Sequence, residues 1–123
     1  MTFAKWVFRG AGIYGLIVML PQYFLEKQIG IDNPPPITHA ENFYGFLGTI
    51  VAWQLAFLLI SSDPRRYRPM MLAAVVEKVS FGAATIVLFA QGRLAGMVLG
   101  FGLIDLVLAV LFALSYRRTD SSH

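Results

Sequence analysis

The sequence predicts an all-α fold, an integral membrane four-helix transmembrane bundle that occupies residues 1–123 as a single domain. Hydrophobic residues make up 57% of the chain and charged residues only 14%, whereas roughly a quarter of the residues in soluble domains are charged. Four apolar runs also reach the length of about 20 residues that a helix needs to cross the hydrocarbon core of a bilayer. These runs are continuous, unlike the alternating short strands of a membrane barrel.

The predicted spans cover about residues 3–25, 42–61, 69–90 and 94–116. Inside lipid each span must satisfy its own backbone hydrogen bonds, which a helix does. Pro21 falls in the last turns of the first span, where a kink or early unwinding is tolerated. We expect this span to be retained rather than removed as a signal peptide. Its apolar part is long, and no small-x-small cleavage pattern occurs between that part and Pro21.

The three connections between the spans differ in length. The first runs from Glu26 to Glu41 and is the only long one, and residues 33–36 (Asn-Pro-Pro-Pro) predict a stiff, extended segment without helix in it. The second, residues 62–68, is a tight basic turn. The third, residues 91–93, is so short that the third and fourth spans must be antiparallel neighbours.

Basic residues favour one side of the predicted bundle, and this bias sets the orientation of a membrane protein. The basic residues near the two termini and in the second connection are Lys5, Arg9, Arg65, Arg66, Arg68, Arg117 and Arg118. The charged residues of the other side are Lys27, Arg93, Glu26, Asp32 and Glu41. Both termini are therefore predicted to be cytoplasmic. Because the basic residues do not form one face, the net charge of +3 does not indicate nucleic-acid binding.

Small residues at helical spacing predict where the helices approach each other closely in lipid. The first span contains Gly12 and Gly15, and the fourth contains the GxxxG pair Gly96 and Gly100. Packing within one bundle is the favoured interpretation of these residues. A homodimer formed through Gly96 and Gly100 is the alternative.

Several polar residues are predicted to lie at a similar depth inside the membrane. Gln54 and Asp105 fall near the midpoints of their spans, while Glu77 and Lys78 lie slightly toward the cytoplasmic side and Arg9 lies further still. An ionised carboxylate at the bilayer centre costs about 2.5–3.5 kcal/mol on insertion scales. Helical side chains point toward the N-terminus of their helix, and the fourth span begins on the outer side of the membrane. Asp105 therefore points outward, away from the nearer membrane surface, and cannot reach water by extending its side chain.

These polar groups need partners, and the sequence predicts some of them. Glu77 and Lys78 are adjacent and about 100° apart on a helix, so we do not expect them to pair along one face. Arg9 with Glu77 is the expected pair between helices. The candidate partners of Asp105 are Lys78, Gln54, Tyr14 or a proton.

A second group of candidates lies at the outer start of the second span, where His39, Glu41 and Asn42 are close in sequence. His39 and Glu41 could contribute metal ligands, but two ligands alone are a weak signal. The favoured interpretation is a capping box in which Thr38 and Glu41 cap the helix. No cofactor is predicted, since the chain has no cysteine and no span contains a histidine that could ligate haem.

The chain resembles the small bacterial DoxX-like membrane proteins in its four short spans and in three segments. These segments are Glu41-Asn42-Phe43-Tyr44-Gly45-Phe46, Ser62-Asp63-Pro64-Arg65-Arg66-Tyr67 and Glu77-Lys78. The resemblance implies a four-helix bundle in the bacterial inner membrane, often of unassigned activity, with some members linked to membrane-associated redox complexes. It implies no catalytic residue for this chain.

The leading functional hypothesis is therefore a non-enzymatic membrane protein that binds a hydrophobic ligand or a membrane protein partner through its intramembrane polar layer. The alternative is a proton-coupled transporter of small molecules that acts as an oligomer, with Asp105 or Glu77 carrying the proton. A lipid-modifying enzyme that uses these two carboxylates as acid and base is the third hypothesis.

Overall fold

The computed structural model describes residues 2–32, 38–93 and 96–119. These residues form helices and turns, with no strand among them. The helices in chain order are α1 (Thr2–Met19), a 3-10 helix (Leu20–Phe24), α2 (Glu26–Asp32), α3 (Ala40–Ser62), α4 (Met70–Ala90) and α5 (Gly96–Arg118). The prediction of an all-helical chain is confirmed for the described residues.

Four of the helical segments are long and apolar enough to cross a membrane. They are Phe3–Phe24, Ala40–Ser62, Met70–Ala90 and Gly96–Arg118. The predicted spans match these segments to within a few residues at each end. Large apolar side chains remain exposed along all four of the long helices, including Ile17, Leu59, Val76 and Val107. Such a surface suits contact with lipid and indicates a multi-pass membrane protein.

The first connection contains a helix that the sequence analysis did not predict. α1 ends at Met19 and continues as a 3-10 helix with Pro21 in its first turn, so the helix changes its winding where the sequence analysis noted that a kink or early unwinding is tolerated. α2 then occupies Glu26–Asp32, where a loop was expected. The predicted extended segment, residues 33–36, lies outside the described residues.

α2 is held against the start of α3 by the side chain of its first residue. The Tyr44 hydroxyl donates a hydrogen bond of 2.9 Å to Glu26 Oε1. The Tyr23 and Tyr44 rings stack with their centroids 5.9 Å apart. A helix of seven residues is not stable on its own, and these aromatic and polar contacts hold its start in place.

The four long helices do not pack evenly around the bundle. The most extensive pairings are α4 with α5 and α1 with α3, while α1 with α5 is smaller and α3 with α4 is the smallest. α1 and α4 therefore lie diagonally. The Gln91–Gly92 turn makes the α4–α5 hairpin tight, and Gly92 adopts a φ of 73°, a left-handed conformation that favours glycine.

The densest core lies in the half of the bundle that contains the start of α1 and the end of α5, which we call the terminal half. Phe8 and Phe112 stack with ring centroids 4.2 Å apart, and Phe57 meets Phe112 edge to face at 5.0 Å. All three rings are fully buried. Arg68 closes this end, since its Nε donates a hydrogen bond of 2.9 Å to the backbone oxygen of Tyr116. We call the opposite half, which carries α2, the loop half.

Glycines mark two of the places where helices approach closely. A Cβ on Gly102 of α5 would overlap the Thr85 side chain of α4, and a Cβ on Gly15 of α1 would overlap the Gln54 side chain of α3. By contrast, a Cβ on Gly96 or Gly100 would meet nothing within 4 Å. The favoured interpretation that Gly96 and Gly100 pack within the bundle is therefore wrong, because α4 meets α5 on another face.

This difference between the glycines of α5 predicts the effect of adding one methyl group. Gly102→Ala should lower the free energy of unfolding by about 1–3 kcal/mol, because Thr85 is buried and its branched side chain has few alternative rotamers. Gly100→Ala is the matched control and should be neutral or stabilising by up to about 1 kcal/mol, the helix preference of alanine over glycine. Thermal unfolding in detergent compares the two, and equal stability would contradict the packing described.

Candidate functional site

A cavity of about 400 Å³ lies in the loop half of the bundle. All five helices and the 3-10 helix contribute to its wall, and most of the lining side chains are apolar, among them Val18, Ile50, Phe81, Val98 and Phe101. Its polar lining residues are Tyr14, Gln22, Gln54, Glu77, Lys78 and Asp105. We call this space the central cavity. Its size and its few converging polar groups are typical of small-molecule sites.

Three charged residues of the cavity wall form a cluster around one ammonium group. Lys78 Nζ lies 3.4 Å from Asp105 Oδ1 and 3.6 Å from Glu77 Oε1. The Lys78 side chain is only 4% exposed, and those of Glu77 and Asp105 are 12% and 13% exposed. Nζ also lies 5.2 Å from the centre of the Phe57 ring, at the edge of the dense core. We call Glu77, Lys78 and Asp105 the charged triad.

The triad confirms one of the predicted partners of Asp105 and overturns two other expectations. Glu77 pairs with Lys78, because the long lysine side chain bends toward its neighbour although the two residues lie on different faces of α4. The expected pair of Arg9 with Glu77 is wrong, since α1 and α4 lie diagonally in the bundle. The Arg9 guanidinium carbon lies instead 5.3 Å from the centre of the Trp6 ring.

Gln54 is the polar group of α3 that reaches the cavity, and it is fully buried. Its Nε2 donates a hydrogen bond of 2.9 Å to the backbone oxygen of Ile50. Its Oε1 is buried and accepts no hydrogen bond in the structure, and the same is true of Glu77 Oε1. The Gln54 side chain packs against the backbone of Gly15, because a Cβ at position 15 would overlap the Gln54 side chain. A buried acceptor without a donor is costly, at about 1–3 kcal/mol.

The remaining predicted residues fall into two groups. Tyr14 of α1 lines the central cavity. His39, Glu41 and Asn42 lie at the start of α3 and are exposed. His39 Nδ1 is 3.8 Å from Glu41 Oε2, and both side chains are more than 70% exposed. These three residues are not part of the cavity wall.

The predicted capping box at the start of α3 is wrong. The helix begins at Ala40, so its N-cap residue is His39, which makes no side-chain capping hydrogen bond. The backbone oxygen of His39 accepts hydrogen bonds from the amides of Asn42 and Phe43 at 3.0 and 3.1 Å. Thr38 lies one residue too early for the Thr-x-x-Glu pattern to close.

A lateral groove between α3 and α4 is a feature that the sequence analysis missed. It has a volume of about 630 Å³, and Thr49, Trp53, Val76 and Ser80 are among the residues that line it. We call it the α3–α4 groove. The residues that line both the groove and the central cavity are Phe46, Ile50, Glu77 and Phe81. The groove exists because α3 and α4 make the smallest contact among the adjacent long helices.

Two further cavity residues that the sequence analysis did not name lie in α2 and just before it. Leu25, which precedes α2, and Ile29 within it both line the central cavity. Their spacing of four residues places them on the same face of a helix turn. This spacing was the signal in the sequence that a helix, rather than a loop, covers the bundle there.

The chain was compared with models of protein families, with curated proteins and with solved structures, and nothing matched in any of the three comparisons. The site is therefore interpreted from its own geometry.

The triad predicts an order among substitutions that remove its charges. Lys78→Met should destabilise the protein more than Asp105→Asn, because losing Lys78 leaves two buried carboxylates without a partner and losing the Asp105 charge leaves the Lys78–Glu77 pair. Breaking a buried ion pair typically costs about 3–5 kcal/mol. The double variant should cost less than the sum of the single variants, by about 0.5–3 kcal/mol.

Thermal unfolding of the four proteins in detergent measures this coupling. Lys27→Met, which removes an exposed lysine of α2, is the control and should leave the unfolding temperature unchanged. Strictly additive effects of Lys78→Met and Asp105→Asn would contradict a direct interaction between the two side chains.

Proposed function

We propose that this chain is a multi-pass integral membrane protein that binds a hydrophobic ligand in the central cavity. The observation that carries the proposal is a largely apolar cavity whose polar groups meet at one place, the charged triad and Gln54. Apolar walls supply affinity for a hydrophobic ligand, and the few polar groups orient it. A cavity of this kind favours a ligand over a membrane protein partner as the occupant of the polar layer.

The membrane setting of this proposal rests on the apolar helices and on charge. The basic side chains at the terminal end of the bundle outnumber those at the loop end, which supports a cytoplasmic location for both termini. The central cavity then belongs to the outer half of the membrane. The resemblance to DoxX-like proteins supports a bacterial inner membrane, and a homodimer through Gly96 and Gly100 stays a prediction.

Filling the cavity tests ligand binding. Val98→Trp adds a large side chain inside the cavity wall, and Val110→Trp is the matched control on an exposed face of the same helix. The full chain in detergent is titrated with dodecanol, dodecanoate and dodecylamine, and complexes are counted by native mass spectrometry. We expect one-to-one binding of at least one probe, weakened about tenfold or more by Val98→Trp only, since the indole ring would occupy the ligand's place.

Two results would contradict the binding proposal. One is that none of the three probes forms a one-to-one complex with the unmodified chain. The other is that Val98→Trp and Val110→Trp bind every probe equally well, which would place binding on the outer surface.

Proton-coupled transport is the second candidate, and one observation favours it. Two carboxylates share a single ammonium group, so Asp105 or Glu77 can take up a proton while the other keeps its partner. The charged and titratable groups that face one another here are Glu77, Lys78, Asp105 and Tyr14. Exchange of a proton at such a cluster is a common basis of coupling in transporters.

Uptake into vesicles distinguishes this candidate from simple binding. The full chain is reconstituted into vesicles, a pH gradient is imposed, and ethidium uptake is followed by fluorescence. Coupled transport predicts gradient-dependent uptake that Asp105→Asn and Glu77→Gln abolish while both variants stay folded. Uptake by the variants that equals that of the unmodified chain, or no uptake by the unmodified chain, would contradict it. If the variants lose only thermal stability, the polar layer is structural.

A further inference from the structure

We infer that the ligand of the central cavity is a single-chain amphiphile with a protonated amine, whose head lies at the charged triad and whose tail leaves through the α3–α4 groove. This inference rests on the proposed binding function and deepens it by naming the chemical class of the ligand and its route. Three features of the site lead to it.

The first feature is the charge of the cavity. Among the described residues that line it, the charged side chains are those of Glu77, Asp105 and Lys78. When both carboxylates are ionised, two of them against one ammonium leave one negative charge without a partner of its own. A cationic head would complete the pairing, whereas a carboxylate or phosphate head would lie beside two like charges in a region of low dielectric.

The second feature is the kind of hydrogen bond that the triad can accept. Glu77 Oε1 accepts no hydrogen bond in the structure, and Lys78 Nζ lies 3.6 Å from it. The Glu77 side chain is 12% exposed and lines both the central cavity and the α3–α4 groove, so a ligand head can approach this carboxylate. Gln54 Oε1 also lacks a donor, but it packs against Gly15 and does not face the ligand. An ionised carboxylate only accepts hydrogen bonds, and an alkylammonium head, with three donors and no acceptor, fits it better than a hydroxyl group with one donor.

The third feature is the lateral route. The α3–α4 groove is apolar along most of its wall and shares Glu77 with the central cavity. A head bound at Glu77 can therefore remain attached to a tail that lies against Trp53 and Val76 at the surface of the bundle. The head and the first part of the tail then lie in the central cavity and the rest of the tail lies in the groove, so the tail stays in an apolar environment throughout. The smallest contact among the adjacent long helices, that of α3 with α4, lies at this opening.

Matched amphiphiles test the inference with the full chain in nanodiscs of zwitterionic lipid, with empty nanodiscs as the background. Dodecylamine, dodecanol and dodecanoate differ only in the head group. We expect dodecylamine to bind about tenfold or more tightly than the other two, as hydrogen bonds to charged groups predict. Glu77→Gln should reduce this preference to about threefold or less, and Glu41→Gln, which changes an exposed carboxylate at the start of α3, should retain it.

The tail position has a separate readout that does not depend on the charged triad. In a Trp6→Phe background the remaining tryptophan, Trp53, lies in the groove. Dodecylamine that carries bromine on its chain should quench its fluorescence. Thr49→Phe places a ring in the groove and should reduce binding, whereas Leu55→Phe, at an exposed position of the same helix outside the groove, should not.

The outcomes separate this inference from the binding function on which it rests. If all three amphiphiles bind equally and Val98→Trp weakens all of them, the cavity binds hydrophobic ligands and the inference of an amine head is overturned. Tighter binding of dodecanoate overturns it as well. If the quenching of Trp53 fluorescence is equally strong in Thr49→Phe and Leu55→Phe, the lateral route is overturned. If no amphiphile binds, both the inference and the proposed function fail.

Discussion

The interaction on which the loop half of this bundle depends is the placement of one lysine ammonium between two carboxylates. Lys78 and Glu77 come from α4 and Asp105 from α5, so the contact of 3.4 Å between Nζ and Oδ1 fixes the register of the tightest helix pair. None of these groups is tolerated alone at this depth in an apolar bundle. The charged triad lies between the helices and forms part of the wall of the central cavity. That cavity is therefore lined by charged groups as well as by apolar side chains.

The helices are packed differently in the two halves of the bundle. The terminal half is closed by three stacked and crossed rings, those of Phe8, Phe57 and Phe112. In the loop half, small residues bring α1 to α3 and α4 to α5, and no comparable contact joins α3 to α4. The result is a cavity with a sealed base and a side opening. This asymmetry is the structural basis for the proposed binding of a ligand from the bilayer.

The sequence predicted the features that depend on local composition, and it failed where the arrangement of the helices decides. The spans follow from hydropathy, Pro21 marked a place where a kink or early unwinding is tolerated, and Lys78 was among the expected partners of Asp105. The Arg9–Glu77 pair failed because pairing depends on which helices are neighbours. The expected packing of Gly96 and Gly100 within the bundle failed for the same reason, since a GxxxG pattern does not say which face of α5 meets α4.

The charged triad lies at the boundary between an open loop half and a sealed terminal half. Because the chain has no cysteine, single cysteines on α5 measure this directly. Phe101 and Ala109 lie one turn to either side of Asp105 on the same stripe, the first in the cavity wall and the second buried. Phe101→Cys should react with N-ethylmaleimide in detergent while Ala109→Cys stays protected, and equal reactivity at the two positions would contradict the account.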